Sequence, residues 1–118
     1  MLALATPARF WLYTPPTDMR KSYNGLSALV KHHLHADPSD GNGYIFLNRT
    51  RTLMKCLYYQ AGGLCLFCKR LEQGQFASLE HRGQQVSLTM TEFAGLIEGL
   101  DIEIKKQRKR HKKSVQNE

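Results

Sequence analysis

The chain has 118 residues, 17 Lys and Arg against 10 Asp and Glu, a formal net charge of +7, and 42% hydrophobic residues. That length suits one domain built on a single core, with no room for a second. No stretch approaches the length of a membrane span. The N-terminal MLALATPARF lacks the basic start and continuous apolar run of a secretory signal, so a cytoplasmic protein is expected.

Arg9-Phe10-Trp11-Leu12-Tyr13 reads as a first strand, apolar except for Arg9. Thr14-Pro15-Pro16 ends it, and Thr17 or Asp18 is placed to cap a helix. Met19, Tyr23, Leu26, Val30 and Leu34 then recur at helical spacing as one apolar stripe, with Arg20, Asn24 and Lys31 on a polar flank. Asp37 to Gly43 is rich in turn formers and reads as a loop.

Tyr44–Leu47, Thr52–Gln60 and Leu64–Leu71 are aromatic, aliphatic and β-branched runs separated by Asn48-Arg49-Thr50-Arg51 and Ala61-Gly62-Gly63. Connections this short force antiparallel neighbours, so the stretch is a β-meander. A three-residue loop at Ala61-Gly62-Gly63 sets Gln60 opposite Leu64, Cys56 opposite Cys68 and Lys55 opposite Lys69. A first turn closing between Leu47 and Thr52 sets Tyr44 opposite Lys55. Alternation then gives a face that is hydrocarbon up to its rim (Ile45, Leu47, Met54, Cys56, Tyr58, Leu64, Leu66, Cys68, with Arg70 at the rim) and suited to the core. The other face mixes Tyr44, Phe46, Leu53, Leu57, Tyr59 and Phe67 with Lys55 and Lys69. Two lysines directly opposed are unfavourable without an anion nearby. Ammonium groups that reach solvent, or an internal carboxylate, are the structural alternatives.

Glu72 to Gln85 has no clear period and reads as mostly loop. Thr89-Met90-Thr91-Glu92 is a capping box, with Leu88 and Phe93 as its hydrophobic staple, and Phe93, Leu96, Ile97 and Leu100 carry the helical repeat. Beyond it, KKQRKRHKK from Lys105 to Lys113 holds seven of the 17 basic residues. A run like this is solvated and disordered on its own, and it has the character of a sequence-independent phosphate-binding arm. Full engagement of its charges with duplex DNA corresponds to a log–log salt slope of about −6.

Catalytic and metal-binding patterns are weak. Cys65 and Cys68 match CxxC but fall within one strand, which directs the two sulfurs to opposite faces. Of His32, His33 and His35, only His32 and His35 share a helical face, and no carboxylate joins them at helical spacing. No motif brings the acidic residues together as metal-dependent strand cutting requires. Neither metal nor cofactor is expected.

Three phrases carry a family resemblance: Thr17-Asp18-Met19-Arg20-Lys21 with Asn24-Gly25-Leu26; Lys55 followed by Gly62-Gly63; and Lys69-Arg70-Leu71-Glu72-Gln73-Gly74-Gln75-Phe76. With Glu98-Gly99-Leu100, the chain resembles the TnpB-type accessory proteins of the insertion-sequence-66 transposons over about Phe10 to Asp101. The resemblance implies a bacterial protein needed for transposition, working beside a separate transposase that does the chemistry. It supplies no catalytic residues. Tyr58-Tyr59 departs from it, standing where relatives often carry a tryptophan, and the basic tail lies outside the shared pattern.

The expectation is an α+β domain over residues 1–104: an antiparallel sheet of about four strands, two helices on one face, and a flexible basic tail over 105–118. Its expected function is that of a non-enzymatic transposition accessory factor. It would contact transposon-end DNA or the transposase through Tyr44, Phe46, Lys55, Tyr59, Phe67 and Lys69, with Arg20, Lys21, Arg49, Arg51 and Arg70 around them. Lys105, Lys106, Arg108, Lys109 and Arg110 in the tail would add salt-sensitive affinity. The alternatives are a pure protein adaptor for the transposase and a small metal-independent ribonuclease.

Overall fold

Short connections fold the middle of the chain back on itself twice, as the meander pattern requires. In the computed structural model, which describes residues 7–98, β2 (Gly43–Leu47), β3 (Leu53–Gln60) and β4 (Gly63–Arg70) are antiparallel neighbours. Beside them, β1 (Phe10–Tyr13) pairs parallel with β2 and antiparallel with β5 (Gln85–Leu88), giving the order β4-β3-β2-β1-β5. The fold is α+β as expected, but its sheet has five strands and is mixed, rather than about four and antiparallel. Parallel β1 and β2 need a crossover, and α1 (Tyr23–His33) supplies it. The extra strand, Gln85-Val86-Ser87-Leu88, falls between the stretch read as loop and the capping box, where no strand was expected.

The helices lie on opposite faces of the sheet, not on one. Leu26, Val30 and Leu34 of the α1 region pack with Tyr13, Tyr44, Phe46 and Leu57. Phe93 and Leu96 of α2 (Met90–Ile97) pack with Phe10, Leu12, Ile45, Met54, Cys56 and Leu88. Neighbours in a strand alternate between these clusters: Leu12 with Tyr13, Ile45 with Phe46, Cys56 with Leu57. The apolar run Tyr44-Ile45-Phe46-Leu47 is buried at every position because both sides are covered.

Local chemistry decides the helix starts differently. At α2 the capping box forms: Glu92 N–H donates to Thr89 Oγ1 at 3.1 Å, and Thr89 N–H to Glu92 Oε1 at 3.0 Å. At α1, neither Thr17 nor Asp18 caps. The N-cap is Ser22, without a side-chain bond, and Tyr23 is exposed instead of joining the core stripe. Thr17 is buried, and its N–H donates to Leu47 O at 2.9 Å. Asp18 accepts from Arg20 N–H at 2.9 Å, closing a tight turn ahead of the helix.

Two registers differ from expectation. Between β2 and β3 the slip is two residues, so Phe46 rather than Tyr44 meets Lys55, and faces are kept. Between β3 and β4 the slip is one, because the turn is the two-residue Ala61-Gly62, leaving Gly63 opposite Gln60. Both turn residues have positive φ, 51° and 83°, as a type I′ hairpin demands. A slip of one turns all of β4 over.

Gly43 is needed for space. A Cβ there would sit 2.4 Å from Cδ2 of Phe10, whose ring stacks on Phe93 at 4.0 Å. Gly43→Ala is therefore expected to lower stability by about 1–3 kcal/mol in urea titration, as overpacking does.

Candidate functional site

Strand directions gather three loops at one end of the sheet. β1, β2 and β4 finish there and β3 and β5 begin there, so residues 14–22, 48–52 and 71–84 share that end. These loops hold Arg20, Lys21, Arg49, Arg51 and Arg82 against Asp18, Glu72 and Glu80, with Arg70 beside them at the end of β4. The loops at the opposite end, 34–42 and 61–62, hold Asp37 and Asp40 and no Lys or Arg. Arg9, ahead of β1, and Lys31, in the last turn of α1, are exposed near that end too, so the contrast between the ends lies in their loops.

Cross-links knit the basic end together. Phe76 N–H donates to Arg51 O at 2.7 Å, and Arg51 Nε returns a bond to Phe76 O at 2.9 Å. Gln75 Nε2 donates to Thr50 O at 2.9 Å. Asn48 Oδ1 accepts from Thr52 N–H and Leu53 N–H at 2.9 and 3.0 Å, closing the β2–β3 turn. Gly74 at φ 77° turns the third loop so that Phe76 and Leu79 enter the α2-side core, both fully buried. A cleft between the loops is lined by Thr14, Pro16, Asn48, Arg49, Arg51 and Ser78.

The cations divide into two groups. Lys55 Nζ donates to Met19 O and Lys21 O, each at 2.8 Å, tying the first loop to β3 on the α1 side. Lys69 points to the other side and donates to Ile97 O at the end of α2, a helix with no basic residue in its own last turn. Arg51 is spent on Phe76 O and Gln75. Lys21, Arg49 and Arg70 are exposed. Arg20 forms an ion pair with Asp18 at 2.6 Å while its side chain stays 91% exposed. The Arg20 side chain, then its N–H, hold the Asp18 carboxyl well below the usual carboxylate range.

The expected basic-aromatic face is thus not one surface. Lys55 faces Cys68, not Lys69. Tyr44 and Phe46 are buried beneath α1, Phe67 is on the α2 side, and Tyr59 is at the opposite end of β3 from the basic loops. Lys105, Lys106, Arg108, Lys109 and Arg110 lie outside the described residues. Sequence reasoning missed Gln75 as a bridge between loops; its only signal was its place within the third phrase.

Cys65 and Cys68 do point to opposite faces, and Cys56 faces Phe67 rather than Cys68. Burial pushes the Cys56 thiol up to about 12. Among the described residues no three His, Cys, Asp or Glu side chains are grouped as metal ligands, and no helix is long and apolar enough to cross a membrane.

A family model described as IS66 Orf2 like protein matches residues 8–107. Two uncharacterized proteins of Sinorhizobium fredii, y4hO and y4jC, are each 33% identical over 101 residues. The aligned regions cover 86% of this chain and 88% and 86% of theirs. No solved structure matches.

Removing a charged donor from two backbone carbonyls has a cost that removing a solvated charge lacks. Lys55→Met is expected to lose about 1.5–3 kcal/mol in urea titration, whereas Lys21→Met should stay within about 0.5 kcal/mol. The Cys56 shift also has a sign. A thiol ordinarily near 9.0, raised to about 12 on folding, favours the unfolded chain once that chain can ionise. Stability is expected to be unaffected by this group below pH 9 and to fall between pH 9 and about 12, with a shallower fall in Cys56→Ala, where only the raised Tyr44 and Tyr58 hydroxyls still contribute. Thermal melts across that range test it.

Proposed function

Because the chain belongs to the IS66 Orf2-like family, whose members are transposition-associated accessory proteins, we propose that it is a non-enzymatic factor that binds transposon-end DNA through the basic loop end of its sheet. The carrying observation is that the first and third family phrases, and Lys55 from the second, converge there, where cations outnumber acids. Exposed Lys21, Arg49 and Arg70 supply outward charge for phosphates, with Arg20 beside them paired to Asp18, while Lys55, Lys69 and Arg51 hold the frame beneath them. The tail residues Lys105, Lys106, Arg108, Lys109 and Arg110 add sequence-blind affinity. Strand cutting is left to the separate transposase.

A second reading, an adaptor that meets the transposase directly, draws on Tyr23. The residue is 46% exposed at the start of α1, and tyrosine is enriched at protein interfaces.

Gel-shift titration on element-end DNA separates the two. Lys21→Glu with Arg49→Glu and Arg70→Glu is expected to weaken binding at least about tenfold and to flatten the salt slope by about one per residue, with unchanged thermal stability. Removing residues 105–118 should flatten the slope further. Unchanged affinity in the triple variant, with capture of transposase that survives high salt and nuclease, would establish the adaptor instead.

A further inference from the structure

β4 ends the sheet on one side, and its eight residues make it the longer of the two edges, since β5 has four. Thr52 and Leu71 continue the β3–β4 register, and Leu71 N–H donates to Thr52 O at 2.8 Å. Alternation along an antiparallel ladder then turns the backbone groups of Cys65, Phe67 and Lys69 inward to β3. Those of Leu64, Leu66, Cys68 and Arg70 turn outward. Among the described residues, no other strand meets them.

Edge strands are normally guarded by charge, proline or a bulge. β4 carries charge only at Lys69 and Arg70, its last two positions. Ahead of them, Leu64 and Leu66 on the α1 side and Cys65 and Phe67 on the α2 side are all only half-buried. The edge is therefore open in its backbone and apolar on both faces.

We infer that this edge is the interface between two copies of the chain, with β4 pairing antiparallel to β4 about a two-fold axis at Phe67. In that register the outward residues satisfy one another: Leu64 of one copy faces Arg70 of the other, Leu66 faces Cys68, and Phe67 meets Phe67. Charge selects this arrangement. Parallel in-register pairing would set Lys69 on Lys69 and Arg70 on Arg70, whereas antiparallel pairing sets Lys69 opposite Cys65 and Arg70 opposite Leu64. Pairing β4 with β5 would engage only four residues and leave another β4 open, and β5 on β5 would close over only four residues a side, so β4 on β4 is the longer pairing that closes into a dimer.

Sedimentation velocity on the nuclease-treated full chain over a concentration series tests this. The expected result is a reversible species of twice the chain mass. Leu66→Pro removes an outward N–H that β3 does not use, and Leu66→Lys places a cation mid-edge. Both are expected to shift the midpoint at least about tenfold towards monomer with unchanged circular dichroism. Phe67→Cys, in a Cys65→Ser and Cys68→Ser background, should form an intermolecular disulfide on mild oxidation. A wild-type chain that stays monomeric throughout overturns the inference, as does a dimer that neither Leu66→Pro nor Leu66→Lys weakens.

Discussion

The two-residue turn at Ala61-Gly62 decides which way every side chain of β4 points. With both residues in the left-handed region, Gly63 stays in the strand and faces Gln60. One more residue in the turn would exchange the faces of β4. Lys69 would then share a side with Lys55, and the end of α2 would lose the ammonium group at Ile97 O. Phe67 would leave the core cluster that holds Phe93. The sheet's two-sided packing, and the division of its cations between structure and surface, both rest on that turn.

Most positions of the family phrases are accounted for by folding. Asp18 closes the turn before α1, Lys55 fastens that turn to the sheet, Gly74 allows the reversal in the third loop and Phe76 anchors it. Gly25 leaves room for the Lys21 side chain, which a Cβ there would approach at 3.1 Å. What remains outward is a short set of cations, Arg20, Lys21, Arg49 and Arg70, around a frame built from their own sequence neighbours. Backbone carbonyls, rather than carboxylates, accept the hydrogen bonds of inward Lys55, Lys69 and Arg51.

Elements with local rules were legible in the sequence; those set by distant contacts were not. Thr89 and Glu92 satisfy each other within one turn, so the start of α2 could be read directly. The connection from β1 to β2 is long enough to permit either direction, and the parallel pairing is decided by packing of α1. Val86 and Leu88 are buried, but a strand of four residues is too short to establish a period. At the candidate site the charges themselves were legible, while their partners were not, because Met19 O, Lys21 O and Ile97 O have no signature in residue type.

The reciprocal bonds between Arg51 and Phe76, with Phe76 driven into the core, have a consequence for recognition. The third loop cannot rearrange at Phe76 without extracting an aromatic ring from the hydrophobic interior, so the backbone there is tied to the sheet beneath it. A partner docking there finds a loop backbone whose ordering entropy was already spent in folding. The accommodation in shape then falls to the partner.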